Sequence, residues 1–516
     1  MEYRLTCMSS KNSRGWLAFV CWMVLFTPAL LEGFGLRALL LWVGAAFLFW
    51  PLTLCRPALA LGMAGLLGLG AVNIVHVGFF GNLADQLLIA TALRTNWEEA
   101  REFMGVLPWP WVALAALWAV VGGFAAAYVW RFAGGPAKAS PFLRKLSWAG
   151  VAIWSVFLVF VLVKRYDFDE VIRKLKTIYP MHIVRAWTAQ QQLTDSLFYT
   201  PQLPDAAPQA AQIDTLVVVI GESASAQRWS MLGYQGADTN GALAQLQGVQ
   251  VARAMAHGLN TAAALPYLLT GMAAQDSVAH RAPSFLDIAR QAGYKTFVVS
   301  NSRYHSAVED FYGVTFRRAA DVFVKAGNGE WDEVLTPHLE AALQDPAPHK
   351  LVVLHTYGSH FQVEERYPTT AAHFPDAYDN SLRYSSDLLA QWIQAVERSA
   401  GMQKTALLLY SSDHGVAMPP CADQYRTGSG LSSLQVPLLS WSNAALRARL
   451  PQLVPEFAAT EREQLSRSNA AVADIAVSAL GYPDALTALA GPQGRQLTFH
   501  EHDWPALQKL DACSLQ

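Results

Sequence analysis

Between residues 15 and 164 the chain carries apolar runs near 16–32, 37–54, 57–80, 110–130 and 147–163. Each is about as long as the roughly 17–25 residues a bilayer crossing needs. Backbone amides and carbonyls find no water in hydrocarbon, so such runs fold as helices that close their own hydrogen bonds. This predicts a transmembrane domain of five helices over residues 1–165. From about residue 200 the composition is that of an ordinary globular protein. The chain-wide values, 53% hydrophobic and 15% charged, therefore average two parts that live in different solvents. The first run reads as a retained anchor, because no small-residue cleavage site follows it and further spans do.

Charge fixes an orientation. Arg4, Lys11 and Arg14 precede the first run, Arg56 lies between the second and third, and Arg131, Lys138, Arg144 and Lys145 flank the loop between the fourth and fifth. Positive residues stay in the cytoplasm, so these segments are assigned inside. The loop 81–109 carries Asp85, Glu98, Glu99 and Glu102 and is assigned outside; Lys164 and Arg165 are the exceptions at the outer end of the fifth run. With five crossings the large C-terminal part is also outside. The formal net charge of −2, with no basic block interleaved with aromatics, gives no footprint for nucleic acid. In an oxidising compartment Cys421 and Cys513 form the one candidate disulfide, with two separate thiols the alternative.

Residues 166–211 read as a bridge. Val171, Ile172, Leu175, Ile178 and Tyr179 recur at helical spacing opposite Arg173, Lys174 and Lys176, the pattern of a helix lying in the headgroup layer. A connecting helix packed on the soluble part is the other reading. Pro201, Pro204 and Pro208 then mark a linker, with a boundary near residue 210. Over 212–516, strand-like runs at 215–220, 295–300, 351–356, 405–410 and 435–441 alternate with helical patterns at 262–270, 284–292, 377–398 and 468–480. That order predicts an α/β domain with a largely parallel central sheet.

Open α/β sheets put their chemistry at strand ends. The run Thr215–Ile220 leads into Gly221-Glu222-Ser223, and the run ending at Tyr410 leads into Ser411-Ser412-Asp413-His414-Gly415. Two carboxylates and an imidazole at such ends can converge on a divalent metal. Between them, Asn260-Thr261-Ala-Ala-Ala-Leu-Pro266 sets a hydroxyl before a helix. A threonine hydroxyl is too weak an acid to attack at neutral pH unaided, and a metal lowers the pKa of an oxygen bound to it. A helix N-terminus favours a phosphate or an alkoxide. Each residue also has a plainer reading: Thr261 as an N-cap, Glu222 as a surface or capping carboxylate, Asp413-His414 as a turn with a hydrogen-bonded core histidine.

Together these motifs resemble the membrane phosphoethanolamine transferases of the alkaline phosphatase and sulfatase superfamily, which modify lipid A and the lipopolysaccharide core. The resemblance covers nearly the whole chain. Val219-Ile220-Gly221-Glu222-Ser223 is similar to the family's metal-ligand strand end, and Met231-Leu-Gly-Tyr234 to the segment after it. Asn260 to Pro266 is similar to the nucleophile motif, and Leu354-His355-Thr-Tyr-Gly-Ser-His360 with Arg366-Tyr367 to a substrate-facing segment. Tyr378-Asp379-Asn380-Ser-Leu382 with Asp387 matches a helix, and Ser412-Asp413-His414-Gly415 the last ligand pair. The resemblance implies that Glu222, Thr261, Asp413 and His414 hold one zinc ion, with manganese as the hard-ligand alternative. It implies that Thr261 carries a covalent phosphoethanolamine taken from phosphatidylethanolamine, that the acceptor is lipid A or the lipopolysaccharide core, and that the catalytic domain of this multi-pass bacterial inner-membrane protein is periplasmic. His360 would stabilise the phosphoryl group or pass a proton, unless it is a structural strand-end residue.

The sequence departs from that pattern in two places. Where the family carries a further histidine past the Asp-His pair, this chain reads Cys421-Ala-Asp-Gln-Tyr-Arg426, and Arg426 would serve as the phosphate clamp instead. His257 and Tyr267 stand where many relatives bracket the nucleophile with cysteines, so rigidity there is expected from packing. A phosphoglycerol transferase or polyglycerolphosphate synthase shares the architecture, and a catalytically decayed membrane scaffold is the non-enzymatic alternative.

Overall fold

A computed structural model of the protein describes residues 14–31, 35–80, 109–133, 141–197, 212–272, 282–302, 311–327, 330–419, 431–457 and 468–483, with a few short pieces between them. Arg426, Cys421 and Cys513 lie outside the described residues, as does most of the linker. The chain divides into two units, Met1–Leu193 and Thr194–Gln516.

Among the described residues of the first unit, four helices are long and apolar enough to cross a membrane: Leu36–Leu54, Arg56–Gly78, Trp109–Phe132 and Leu143–Lys164. Their helical cores are α2 (Leu36–Phe49), α3 (Arg56–Phe80), α4 (Trp109–Phe132) and α5 (Pro141–Lys164). The expected fifth span is corrected by the first apolar run, which among the described residues forms the short helix α1, Arg14–Val24. At about 1.5 Å per residue it reaches about 16 Å, half a hydrocarbon core. Pro28 in the following 3-10 turn, Thr27–Leu30, explains the stop. It has no N–H to donate, and it disfavours the α conformation at the residue before it.

Packing in this unit is aromatic inside and apolar outside. Trp22, Phe26 and Trp50 are fully buried, whereas Leu61, Phe124, Val156 and Leu162 point outward. An outward apolar surface is what lipid tails require. The bridge forms two helices rather than one, α6 (Phe168–Leu175) and α7 (Met181–Leu197). Asp167 caps α6 by accepting from the Glu170 amide at 2.8 Å. Ile172 and Leu175 are buried while Lys174 is exposed, which is the amphipathic division expected from their spacing.

The second unit holds a seven-stranded sheet in the order β2-β7-β6-β1-β5-β3-β4. The strands are β1 (Thr215–Gly221), β2 (Val249–Met255), β3 (Lys295–Ser300), β4 (Val322–Lys325), β5 (Lys350–His355), β6 (Ala406–Ser412) and β7 (Gln435–Ser442). The neighbours from β6 to β4 pair in parallel, and β7 runs antiparallel to both β6 and β2. Side chains alternate between the two faces. Leu216, Val218 and Ile220 of β1 join a core with α8 (Thr261–Thr270), α9 (Phe285–Gln291), α10 (Phe311–Ala319) and α13 (Ala471–Ala479). Val217 and Val219 face the opposite core under α11 (Thr336–Gln344) and α12 (Ala377–Ala400). Covered on both sides, the central strands are continuous apolar runs rather than alternating ones.

Candidate active site

Register brings the acidic residues together. In the parallel pair β1–β6, Gly221 lies opposite Ser412, so Glu222 and Asp413 leave the sheet side by side. On the other side of β1, Ile220 lies opposite His355, which brings the turn after β5 alongside Glu222. That turn is close-fitting. The Ser359 amide donates to the Glu222 carbonyl at 2.9 Å. Gly358 has φ +51°, and a Cβ there would come within 2.5 Å of the same carbonyl oxygen, so glycine is needed on both counts.

Glu222, Asp413 and His414 are all buried, and one ligand atom from each lies within 4.8 Å of the other two. Ser223 holds the first two in place from a strained backbone, with φ +59°. Its hydroxyl donates to Glu222 Oε1 at 2.6 Å and its amide to Asp413 Oδ1 at 3.2 Å. Its own carbonyl accepts from the buried Tyr378 hydroxyl at 2.7 Å. His414 is aimed in the same way. Its Nδ1 donates to the Gly415 carbonyl at 2.7 Å, which turns Nε2 toward Glu222 Oε1 at 3.3 Å and Asp413 Oδ2 at 3.5 Å.

Thr261 completes the group. Asn260, not Thr261, is the N-cap of α8, its side chain accepting from the Ala263 amide at 3.1 Å. Relieved of the capping role, the Thr261 hydroxyl donates to Glu222 Oε2 at 2.8 Å. His257 and Tyr267 bracket it and stack with ring centroids 5.0 Å apart, and His257 Nε2 meets Ser468 Oγ at 2.5 Å. The expected packing brace is therefore a ring pair. His360, after β5, stacks on Tyr357 at 4.7 Å and is close enough for its charge to act on Glu222.

Burial pushes Asp413 up to about 7, with the neighbouring Glu222 charge adding to the effect. Burial works against a charged His414 and a charged Glu222 alike. Asp413 and Glu222 nonetheless raise His414 to about 9, and His414 holds Glu222 below the usual carboxylate range. Asp413 Oδ2 is fully buried with no hydrogen-bond partner. Two carboxylates, an imidazole and a hydroxyl, one carboxylate oxygen left bare, are a donor set that suits a divalent metal.

Two contributors, Asp332 and Asn469, left no mark in the sequence. Asp332 is buried and accepts from the Tyr357 amide at 2.7 Å, the Gly358 amide at 2.8 Å and the Asn301 side chain at 2.9 Å. It ties down the turn that wraps Glu222 and carries His360. Asp332→Ala strands two buried amides, so a loss of about 2–4 kcal/mol in stability is expected. Chemical denaturation measures it, and an unchanged midpoint would contradict this role. Asn469 adds a second tie, its amide donating to the carbonyls of Ser412 and Asp413 at 3.1 Å each.

A family model described as Sulfatase matches residues 214–482. A curated relative, the "Putative transferase YhbX" of Escherichia coli K12, is 30% identical over 248 residues, 45% of this chain and 44% of that protein. The "Phosphoethanolamine transferase EptC" of the same strain is 25% identical over 274 residues, 46% of each chain. The chain thus spans less than half the length of the curated relatives it matches. Among solved structures, the integral membrane lipooligosaccharide phosphoethanolamine transferase A of Neisseria meningitidis aligns over 90% of this chain and 95% of its own, with TM-score 0.62 and 19% identity. The C-terminal periplasmic domain of Escherichia coli EptC, in complex with Zn, aligns over 61% of this chain and 99% of its own, with TM-score 0.50 and 22% identity. At these identities the two structures establish a common fold, and the first extends it to the membrane unit.

Proposed function

This chain belongs to the sulfatase family, and from that premise we propose that it is a zinc-dependent phosphoethanolamine transferase acting at the outer face of a bacterial inner membrane. The donor is phosphatidylethanolamine and the acceptor is lipid A or the lipopolysaccharide core. The observation that carries the reading is the buried cluster of Glu222, Asp413 and His414, with the Thr261 hydroxyl hydrogen-bonded to Glu222. Relatives named phosphoethanolamine transferases support the class of reaction.

Glu222, Asp413, His414 and Thr261 would hold the zinc. When bound, zinc supplies positive charge that acidifies a hydroxyl and offsets phosphoryl charge. Thr261 Oγ1 forms a bond to the donor phosphorus while the bond from phosphorus to the glycerol oxygen breaks, releasing diacylglycerol. Glu222 Oε2, which already accepts the hydroxyl's hydrogen bond at 2.8 Å, is the group in reach of its proton. The N-terminus of α8 favours negative charge developing beside Thr261. His360 passes a proton to the departing glycerol oxygen, and Arg426 contributes a phosphate contact. An acceptor oxygen then attacks the phosphorus while the bond from phosphorus to Thr261 Oγ1 breaks; the acceptor's proton goes to His360, and the threonine oxygen takes back the proton held at Glu222.

The orientation does not depend on the first apolar run. Arg56 marks the junction of α2 and α3 as cytoplasmic, and Arg131, Arg144 and Lys145 mark the α4–α5 junction likewise. The end of α5, and the second unit after it, then fall outside. In a chain stripped of native cysteines, Met402→Cys is expected to react with a membrane-impermeant thiol reagent in spheroplasts, and Lys138→Cys to be protected. The reverse pattern would overturn the assignment. Met402 suits the assay because it is 95% exposed.

The donor is tested by supplying detergent-purified protein with zinc, an acceptor lipid A and either phosphatidylethanolamine or phosphatidylglycerol. Diacylglycerol release from the first and not the second is expected. Release from phosphatidylglycerol alone would assign the enzyme to phosphoglycerol transfer.

A further inference from the structure

The first unit contains a polar cluster that the transfer chemistry does not use. Asn73 and His76 lie on α3 and are buried, at 0% and 4% exposure. Tyr179, just ahead of α7, is also buried, packs against Phe26 at 6.1 Å, and lies beside the Asn73 side chain. His182, in the first turn of α7, stacks on Tyr179 with centroids 5.3 Å apart and is near enough to His76 for their charges to interact. Two helices and the turn between α6 and α7 thus gather four polar side chains inside an otherwise apolar unit.

Their hydrogen bonding is incomplete. Asn73 is satisfied, accepting from the Ala84 amide at 2.8 Å and donating to the Leu69 carbonyl at 2.9 Å. Both ring nitrogens of His182 are buried with no hydrogen-bond partner, and the buried Tyr179 hydroxyl lies beside the Asn73 side chain. Leaving buried imidazole nitrogens bare is costly, and ionisable side chains within a membrane unit are rare unless they serve a ligand or a pathway. Burial, then His76, lowers His182 to about 4, so the ring is neutral at physiological pH and offers one donor and one acceptor.

Depth identifies the class of ligand. Arg56 marks one end of α3, and at about 1.5 Å per residue Asn73 and His76 lie about 26–30 Å along it, one hydrocarbon thickness away. The amphipathic α6 precedes Tyr179 and belongs at the same headgroup level. His182 is only partly buried, so part of its ring reaches the surface of the unit. Phosphodiesters occupy that level and accept hydrogen bonds from phenol and imidazole donors.

We propose that Asn73, His76, Tyr179 and His182 form a binding site for the phosphodiester of a phospholipid headgroup. The site is indifferent to whether the donor is an ethanolamine or a glycerol lipid, so it stands or falls independently of the transfer reaction.

The test is equilibrium binding of a fluorescent short-chain phosphatidylethanolamine to the full-length, zinc-loaded protein in detergent, with Thr261→Ala present throughout to prevent turnover. Tyr179→Phe and His182→Phe keep the ring volumes and remove only the polar atoms. Each is expected to weaken binding about tenfold while the melting temperature does not fall. Phosphatidylethanolamine and phosphatidylglycerol should compete equally. Diacylglycerol, which lacks the phosphate, and inorganic phosphate, which lacks the chains, should each compete at least tenfold less well. Unchanged affinity in both variants, or competition by diacylglycerol equal to that by the phospholipids, would overturn the proposal. Competition by inorganic phosphate equal to that by the lipids would overturn its assignment to a lipid.

Discussion

Thr261→Ala is expected to abolish transfer, with a fall on the order of 10⁴-fold or more, the usual consequence of deleting a covalent nucleophile. The change should leave the fold intact. Asn260 caps α8 in place of Thr261, and the threonine hydroxyl makes its described hydrogen bond to Glu222 alone, so alanine removes the nucleophile without unravelling the helix. Thr261→Ser keeps the oxygen and should retain measurable activity. Turnover of phosphatidylethanolamine in the two variants, beside matched melting curves, checks both statements. Wild-type activity in Thr261→Ala would place the chemistry elsewhere.

The second large effect is expected from Asp413→Asn. The amide keeps the shape of the carboxylate but loses the charge on a group whose Oδ2 has no hydrogen-bond partner and faces the imidazole of His414 at 3.5 Å. Stoichiometric zinc should be lost and transfer should fall more than about a hundredfold, the upper range for disturbing a metal's outer partners and hence a floor for losing a ligand. Chelation of the native protein should act in the same direction on stability. A metal held at a thousand times its Kd contributes about 4 kcal/mol, which at roughly 2 °C per kcal/mol lowers the Tm of the second unit by roughly 8 °C. Elemental analysis and calorimetry before and after chelation read both. Full zinc content in Asp413→Asn would remove Asp413 from the ligand set.

The parts of the fold that were legible in the sequence are those where one force dominates. β1, β5 and β6 are buried on both faces and announce themselves as unbroken runs of Val, Leu and Ile. β2 and β4 were not expected, because each is half-exposed and its sequence carries no clear period: β2 is Val-Gln-Val-Ala-Arg-Ala-Met and β4 only four residues. The membrane unit misled in one respect. Hydropathy counts apolar residues but not the backbone, and Pro28 ends a run that composition alone would carry across.

The site divides along the same line. Glu222, Asp413 and His414 were legible because strand ends next to each other in a parallel sheet converge. The division of labour between Asn260 and Thr261 was not, since both residue types cap helices and only the fold decides which one does. Asp332 and Asn469 gave no signal either. Each acts by accepting from or donating to backbone groups distant in sequence, a role that no local motif encodes.

The measurement that bears most directly on the central claim is the intact mass of purified protein after incubation with phosphatidylethanolamine and zinc in the absence of acceptor, followed by fragmentation to locate any adduct. A single phosphoethanolamine on Thr261, absent from Thr261→Ala and discharged when lipid A is added, is the expected result. An unmodified chain under conditions that release diacylglycerol, or an adduct on another residue, would contradict it.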